Sequence, residues 1–151
     1  MIEFIIDPNE KARIAETILR DLPEWFGIPE STANYIEGSR GMPFWAAVED
    51  GQAVGFIVLK ETSPRAAEIF VMGVLKSRHR RGVGTLLWEA FRDYAQACGY
   101  EYAQVKTVRR GRYAEYDRTN DFYERLGFRE LECFPTLWDE WNPCQVYIRS
   151  L

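Results

Sequence analysis

An apolar segment in the middle of the chain leads, through a basic stretch and a pair of glycines, into a helical pattern. Residues 65–75, RAAEIFVMGVL, are nearly continuous in apolar and β-branched character, which is typical of a central strand covered on both faces. From Gly82 to Cys98 the apolar residues recur at three- and four-residue intervals, which predicts an amphipathic helix. Gly99 follows as a stop signal. The centre of the fold is therefore predicted to be a strand, a glycine turn and a helix.

The flanking segments predict further short elements. Residues 2–7 and the segments YEYAQVKTV, FRELECF and CQVYIRS are typical of strands. PFWAAVEDGQAVGFIVLKE predicts two strands joined by a tight turn at Asp50 and Gly51. Amphipathic spacing predicts helices over residues 8–22, from about 29 to 40, and over residues 117–126. The expected order is β-α-α-β-β-β-α-β-α-β-β, an α/β (α+β) fold with one mixed sheet and helices on its faces.

Length and composition indicate one domain that spans residues 1–151. The 151 residues are 46% hydrophobic and 15% aromatic, enough for one core and too few for two. Cys98, Cys133 and Cys144 are odd in number and lack a C-x-x-C spacing, so we expect reduced, buried thiols and neither disulfides nor a metal site. The acidic N-terminus and the lack of a long apolar run predict a cytoplasmic protein without a membrane partner.

The net charge of −4 and the isoelectric point of about 5.2 argue against a nucleic-acid partner, because such proteins neutralise many phosphates. An RNA-binding domain that uses arginines and aromatic rings is therefore a disfavoured alternative. Two local basic clusters stand out against this background, residues 76–81 and residues 109–112.

The glycine turn that follows the first basic cluster is suited to bind a phosphate. Gly82 and Gly84 lack Cβ atoms and allow a close approach to the backbone. The first amides of a helix have no partner inside the helix, and the helix dipole favours an anion there. Arg80 and Arg81 add positive charge. The segment has no G-x-x-x-x-G-K-[ST] motif and no third glycine, so a pyrophosphate other than that of ATP or NAD is expected.

Two motifs together resemble those of the GNAT superfamily of N-acetyltransferases. The segment from His79 to Gly84, HRRGVG, is similar to the family signature [Q/R]-x-x-G-x-[G/A], with His79 in the first position. FYERLGF, residues 122–128, is similar to the second signature, F-Y-x-x-x-G-F. The family often has Asn seven residues before the tyrosine of that motif; Tyr116 stands there in this chain, and Asn120 lies nearby.

The resemblance implies a GNAT fold, with a mostly antiparallel twisted sheet of about six or seven strands and about four helices. It also implies that the ligand is acetyl-CoA or coenzyme A, with its pyrophosphate on the glycine turn and its pantetheine arm along the preceding strand, which splays from the next one. The implied cofactor-binding residues are Met72, Gly73, Val74, His79, Arg80, Arg81, Gly82, Val83, Gly84, Thr85, Tyr116, Asn120 and Tyr123.

The resemblance assigns three catalytic candidates for the direct transfer of acetyl to an amine. Tyr123 would donate a proton to the leaving thiolate; otherwise it is a core tyrosine with its hydroxyl at the surface. Glu68, fourteen residues before Gly82, would accept the proton of the amine, and a carboxylate in an apolar strand is costly to bury. The alternative for Glu68 is a solvent-facing residue at the strand end. The main-chain N–H of Val74 would polarise the thioester carbonyl.

The expected acceptor is an amine on a small molecule or a peptide, and many members of the family are homodimers. The acceptor pocket is expected to draw on aromatic residues that otherwise belong to the core: Trp25, Phe26, Tyr35, Trp138 and Trp141. The arginines at 109–112 form a solvated loop or face the 3′-phosphate of coenzyme A or an acidic acceptor. An idle acyl-CoA-binding module of the same fold is the alternative function.

Overall fold

The helices and strands follow one another along the chain in the predicted order. The computed structural model describes all 151 residues. The elements are β1 (Ile2–Phe4), α1 (Pro8–Arg20), α2 (Pro29–Ser39), β2 (Phe44–Glu49), β3 (Gln52–Ser63), β4 (Ala66–Val74), α3 (Val83–Ala97), β5 (Tyr102–Val108), α4 (Ala114–Arg125), β6 (Arg129–Phe134) and β7 (Cys144–Ser150), with a 3₁₀ turn over Lys76–Arg78. None of the helices combines the length and apolar character needed to cross a bilayer.

The seven strands form one sheet in the order β1-β2-β3-β4-β5-β7-β6. Every neighbouring pair is antiparallel except β4 and β5, which are parallel. The prediction of a mixed, mostly antiparallel sheet with four helices is therefore confirmed. One boundary moves: α4 begins at Ala114 rather than at residue 117, because the sequence from 114 to 116 carries no strong start signal.

The start of helix α1 is set by Asp7 and Pro8. The Asp7 carboxylate accepts hydrogen bonds from the amides of Asn9 and Glu10, at 3.4 and 3.3 Å, and Pro8 fits the first helical position because its missing N–H is not needed there. Ile14 and Ile18 lie on one side of the helix and are 3% and 0% exposed. This apolar stripe packs α1 against one face of the sheet.

The two faces of the sheet carry separate cores. On the first face, α3 packs Leu87, Trp88 and Phe91 against residues of β2 to β5. On the opposite face, α1 packs against the alternate residues of β2, β3 and β4, with Phe44 and Phe56 stacked at 5.3 Å between ring centres. β2 and β3 meet at the predicted hairpin, where the φ angles of Asp50 and Gly51 are 50° and 76°.

Cysteine burial differs from the prediction. Cys144 is buried, Cys133 is half-buried and Cys98 is exposed. Cys98 lies at the C-terminal end of α3, where the last turn of the helix extends into solvent. Burial raises the pKa of the Cys144 thiol to about 11.

Candidate active site

The start of α3 presents a row of free backbone amides. The first helical hydrogen bond runs from the amide of Leu86 to the carbonyl of Gly82 at 3.1 Å, and the amides of residues 80–85 donate no hydrogen bond within the protein. Arg80 and Gly82 adopt the left-handed region, with φ angles of 63° and 80°. Left-handed residues that alternate with right-handed ones turn successive N–H groups toward one point and form an anion-binding concavity.

Two of the four basic residues near this concavity make ion pairs, and two do not. Lys76 makes an ion pair with Glu24, and Arg78 makes one with Glu49. Arg80 and Arg81 are exposed and make no ion pair, so their charge remains available to a ligand. Of the basic stretch, the two arginines next to the glycine are therefore the ones that favour a phosphate.

The two glycines of the turn serve different purposes. A Cβ atom on Gly82 would meet nothing within 4 Å, so this position needs glycine for its positive φ. A Cβ atom on Gly84 would lie 3.0 Å from the ring of Phe122. Gly84 therefore allows α3 and α4 to approach closely, a packing role that the sequence did not reveal.

A cleft opens between β4 and β5. Their parallel ladder has three residue pairs and ends at Glu68 and Gln104, while β4 continues to Val74. Val58 and Leu59 of β3 pair with Val71 and Ile69, so Phe70 is an extra residue in β4. Such a bulge bends a strand, and here β4 turns away from β5. The splay expected from the family resemblance is present.

One edge of β4 is open toward this cleft. The amide of Leu75 bonds to Val54 of β3 at 2.9 Å, so by strand alternation the backbone groups of Met72 and Val74 point to the opposite side, into the cleft. Gly73 points its backbone toward β3, and a Cβ atom added to it would lie 3.0 Å from Leu22 of the segment after α1. The carbonyl of Val74 is already engaged by the imidazole Nε2 of His79, at 2.7 Å.

Tyr123 lies on α4, the helix whose Asn120 bonds to Val108 at the end of β5. Its side chain belongs to the core under α3 and α4 and is 6% exposed. Its hydroxyl makes no hydrogen bond within the protein. Because every fully buried side-chain oxygen has a partner, this hydroxyl is not fully enclosed. Burial, followed by the nearby phenols of Tyr116 and Tyr35, raises the pKa of Tyr123 above its ordinary value. The phenol therefore keeps its proton throughout the neutral range.

Glu68 is buried rather than solvent-facing. Its residue is 6% exposed, and its carboxylate lies 3.1 Å from Nζ of Lys106 on β5. Sequence reasoning missed Lys106, because only the parallel register of β4 and β5 brings the two side chains together. Val74 is six residues along β4 from Glu68, roughly 20 Å at the rise of a strand. The amide of Met72 also faces the cleft and is two residues closer.

The polar side-chain groups of Asn120 and Tyr116 are engaged within the protein. Asn120 is 0% exposed, and its amide bonds to Val108, Tyr116 and Tyr147. The Tyr116 hydroxyl donates to the carbonyl of Trp25 at 2.6 Å, and burial raises its pKa to about 12. Both were predicted to bind the cofactor, and this stays a prediction; in this structure their polar side-chain groups already have partners inside the protein.

The aromatic candidates for the acceptor pocket fall into two groups. On the α1–α2 side, Trp25 donates from Nε1 to Thr119 of α4 at 3.1 Å, and the rings of Phe26 and Tyr35 meet edge to face at 5.9 Å. Tyr35 also meets Phe70 of β4 at 5.3 Å. The structure therefore places this group against Phe70 of β4 and Thr119 of α4, and its part in an acceptor pocket stays a prediction.

The second group lies in the loop between β6 and β7. Trp138 and Trp141 are 42% and 68% exposed. The Asp139 carboxylate accepts hydrogen bonds from the amides of Trp141 and Asn142, each at 2.8 Å, and these bonds, led by the Asn142 side chain, hold the pKa of Asp139 below its ordinary value. No contact of either tryptophan with the cleft residues is present, so their place in the pocket stays a prediction.

Residues 12–128 match the Acetyltransferase (GNAT) family. The chain belongs to the GNAT family of acetyltransferases. The Bacillus subtilis (strain 168) protein named uncharacterized N-acetyltransferase YsnE is 32% identical over 117 residues, 76% of each chain. The membership predicted from the two motifs is therefore confirmed.

Solved GNAT structures share the fold. An acetyltransferase of the family from Desulfovibrio desulfuricans superposes with a TM-score of 0.83 at 17% identity, over 99% of this chain and 98% of that one. The protein yncA of Salmonella typhimurium, solved with its cofactor acetyl-CoA, superposes with a TM-score of 0.74 at 18% identity, over 100% and 93% of the two chains. The GNAT fold predicted for this chain is thus confirmed along its whole length.

Proposed function

We propose that this GNAT protein transfers an acetyl group from acetyl-CoA directly to an amine acceptor. The observation that carries the proposal is the row of free amides at the start of α3, beside two unpaired arginines and next to the open edge of β4. A pyrophosphate fits the first feature and an extended amide-bearing arm fits the second. The acetyl-CoA bound to the Salmonella typhimurium relative supports the choice of donor.

The chain's own residues would bind and orient the two substrates. The amides of residues 80–85, with Arg80 and Arg81, would hold the phosphates. Along the edge of β4, the amides of Met72 and Val74 would pair with the pantetheine, and one of them would polarise the thioester carbonyl. His79 would have to leave the Val74 carbonyl for the strand edge to be used in full. Acetyl-CoA supplies the acetyl group as an activated thioester.

Two side chains would move the protons. As the new C–N bond forms and the C–S bond breaks, the amine loses a proton and the leaving thiolate needs one. Glu68 would receive the first through water, because its carboxylate lies several residues along β4 from the edge amides. Tyr123 would donate toward the thiolate from its unpaired hydroxyl. Burial raises its pKa, so the phenol carries its proton at neutral pH.

A thiol-release assay with acetyl-CoA tests the proposal. Polyamines, aminoglycosides, amino acids and peptides would each serve as the acceptor, and calorimetry with coenzyme A would run in parallel. We expect tight coenzyme binding and release of thiol with at least one class of amine, and loss of both in a Gly82→Val variant. Binding without turnover on any amine would favour the idle acyl-CoA-binding module. Absence of binding would refute both functions.

A further inference from the structure

Asn120 is the polar side chain most completely enclosed near the cleft. It is 0% exposed, and every polar atom of its amide has a partner. Nδ2 donates to the carbonyl of Val108 at 2.9 Å and to the carbonyl of Tyr116 at 2.6 Å. Oδ1 accepts from the hydroxyl of Tyr147 at 2.6 Å. One side chain thus joins the end of β5, helix α4 and strand β7.

The Val108 carbonyl needs this partner because of the cleft. The amide of Arg109 bonds to Pro143 next to β7 at 3.0 Å, so by strand alternation the backbone groups of Val108 point the other way, toward β4. The ladder between β4 and β5 has ended four residues earlier, at Gln104. A buried carbonyl left without a strand partner must find another donor, and Asn120 provides it.

We propose that Asn120 is a positioning residue for acetyl transfer: it ties the open edge of β5 to α4 and so holds the Tyr123 hydroxyl at the cleft. Asn120 and Tyr123 are three residues apart on one helix and lie on the same face. The Tyr123 hydroxyl has no partner of its own, so the position of the helix sets its place. The inference rests on the proposed function.

A chain of hydrogen bonds that runs from the core to the surface holds the Asn120 amide in its orientation. The Tyr147 hydroxyl, which donates to Asn120, also lies 3.3 Å from the Glu124 carboxylate. Glu124 in turn pairs with Arg110 at 2.9 Å. Burial raises the pKa of Tyr147 to about 12, so this hydroxyl remains a donor under working conditions and keeps Nδ2 turned toward Val108.

Replacing both Asn120 and Tyr147 with apolar residues separates the contribution of packing from that of positioning. Leu and Phe at positions 120 and 147 fill nearly the same volume and leave no buried amide or phenol to satisfy. The Val108 carbonyl, however, would lose its donor and the end of β5 would no longer be tied to α4. The double variant Asn120→Leu/Tyr147→Phe therefore tests the tie itself rather than the filling of the core.

The experiment measures kcat, acetyl-CoA affinity and thermal stability of this double variant. We expect kcat to fall about 10- to 100-fold, the range for a reacting group displaced by up to an ångström, with acetyl-CoA affinity within about twofold of wild type because the phosphates are held by α3. Ile14→Ala, a buried substitution in α1 on the other face, is the control for lost stability and should keep its kcat.

Each outcome bears on the inference. A folded double variant with wild-type kcat overturns it, as does an equal loss of kcat in Ile14→Ala at matched stability. If the double variant does not fold, the single variant Tyr147→Phe is measured instead. Its kcat should fall, and an unchanged kcat would contradict the inference. A wild-type protein that binds coenzyme A but acetylates no amine overturns the proposed function and this inference with it, whereas an active wild type beside an active double variant overturns the inference alone.

Discussion

Replacement of Gly82 by alanine probes the anion site with a matched control in the same helix. Gly82 precedes α3 with φ of 80°, and Gly99 follows it with φ of 87°. A Cβ atom at either position meets nothing within 4 Å, so both variants introduce only backbone strain. The two glycines flank the 15 residues of α3 and its C-cap Cys98, so they lie roughly 25 Å apart at the rise of a helix. Only Gly82 lies at the proposed phosphate site.

The expected magnitudes follow from this geometry. A residue with a side chain costs about 1–2 kcal/mol in the left-handed region, so both variants should lose that much free energy of unfolding. At Gly82 the backbone can relieve the strain by leaving positive φ, and the neighbouring amides then turn away from their common point. The loss of one or two charge-assisted hydrogen bonds, each about 1.5–3 kcal/mol, lowers the affinity for coenzyme A by at least about tenfold.

Calorimetric titration with coenzyme A and thermal unfolding of both variants provide the test. Gly99→Ala should bind coenzyme A with wild-type affinity despite its lower stability. If Gly82→Ala binds within about twofold of Gly99→Ala, the free amides at the start of α3 do not hold the phosphates, and the reasoning behind the site fails.

Further predictions concern the cleft. Tyr123→Phe should lower kcat roughly 100-fold at unchanged acetyl-CoA affinity, and an unaltered rate in the thiol-release assay would remove Tyr123 from the chemistry. Burial raises the pKa of Tyr123 and of Tyr116 above the value of 10.0 expected in the unfolded chain, so the free energy of unfolding should fall as pH rises past 10; melts that stay constant from pH 8 to 11 would contradict this. Lys106→Met should cost about 1–2 kcal/mol, less than for a fully buried pair because Lys106 is partly solvated, and Glu68→Gln in the same chain should recover it in urea unfolding. Glu68→Gln alone should move the pH–rate profile to higher pH, whereas an unmoved profile assigns the proton to another group.

The sequence predicts the fold and the candidate phosphate site because both depend on local patterns. Strand β4, the turn at Gly82 and helix α3 follow one another within about 30 residues, and each has its own signal in period or in glycine content. Free amides at a helix start need no distant partner. The position of this site therefore follows from the order of the residues.

The rest of the candidate site depends on contacts between distant segments. The ion pair between Glu68 and Lys106 needs the parallel register of two strands, and the role of Gly84 needs the ring of Phe122 from another helix. In sequence, Asn120 is one polar residue within a helix. Its burial follows from the missing strand pairing beside Val108, whose carbonyl accepts a hydrogen bond from the Asn120 amide. Tertiary contacts of this kind leave no periodic trace in one sequence.

The interrupted ladder between β4 and β5 links the stability of the protein to its ligand supply. The four strands on one side and the three on the other share three residue pairs, so the sheet is weakest along this seam. A ligand lying in the seam contacts both halves and binds the native state alone. At 100 times its dissociation constant it would add about 2.7 kcal/mol to the free energy of unfolding. The melting temperature of the purified apoprotein thus understates the resistance to unfolding wherever such a ligand is abundant.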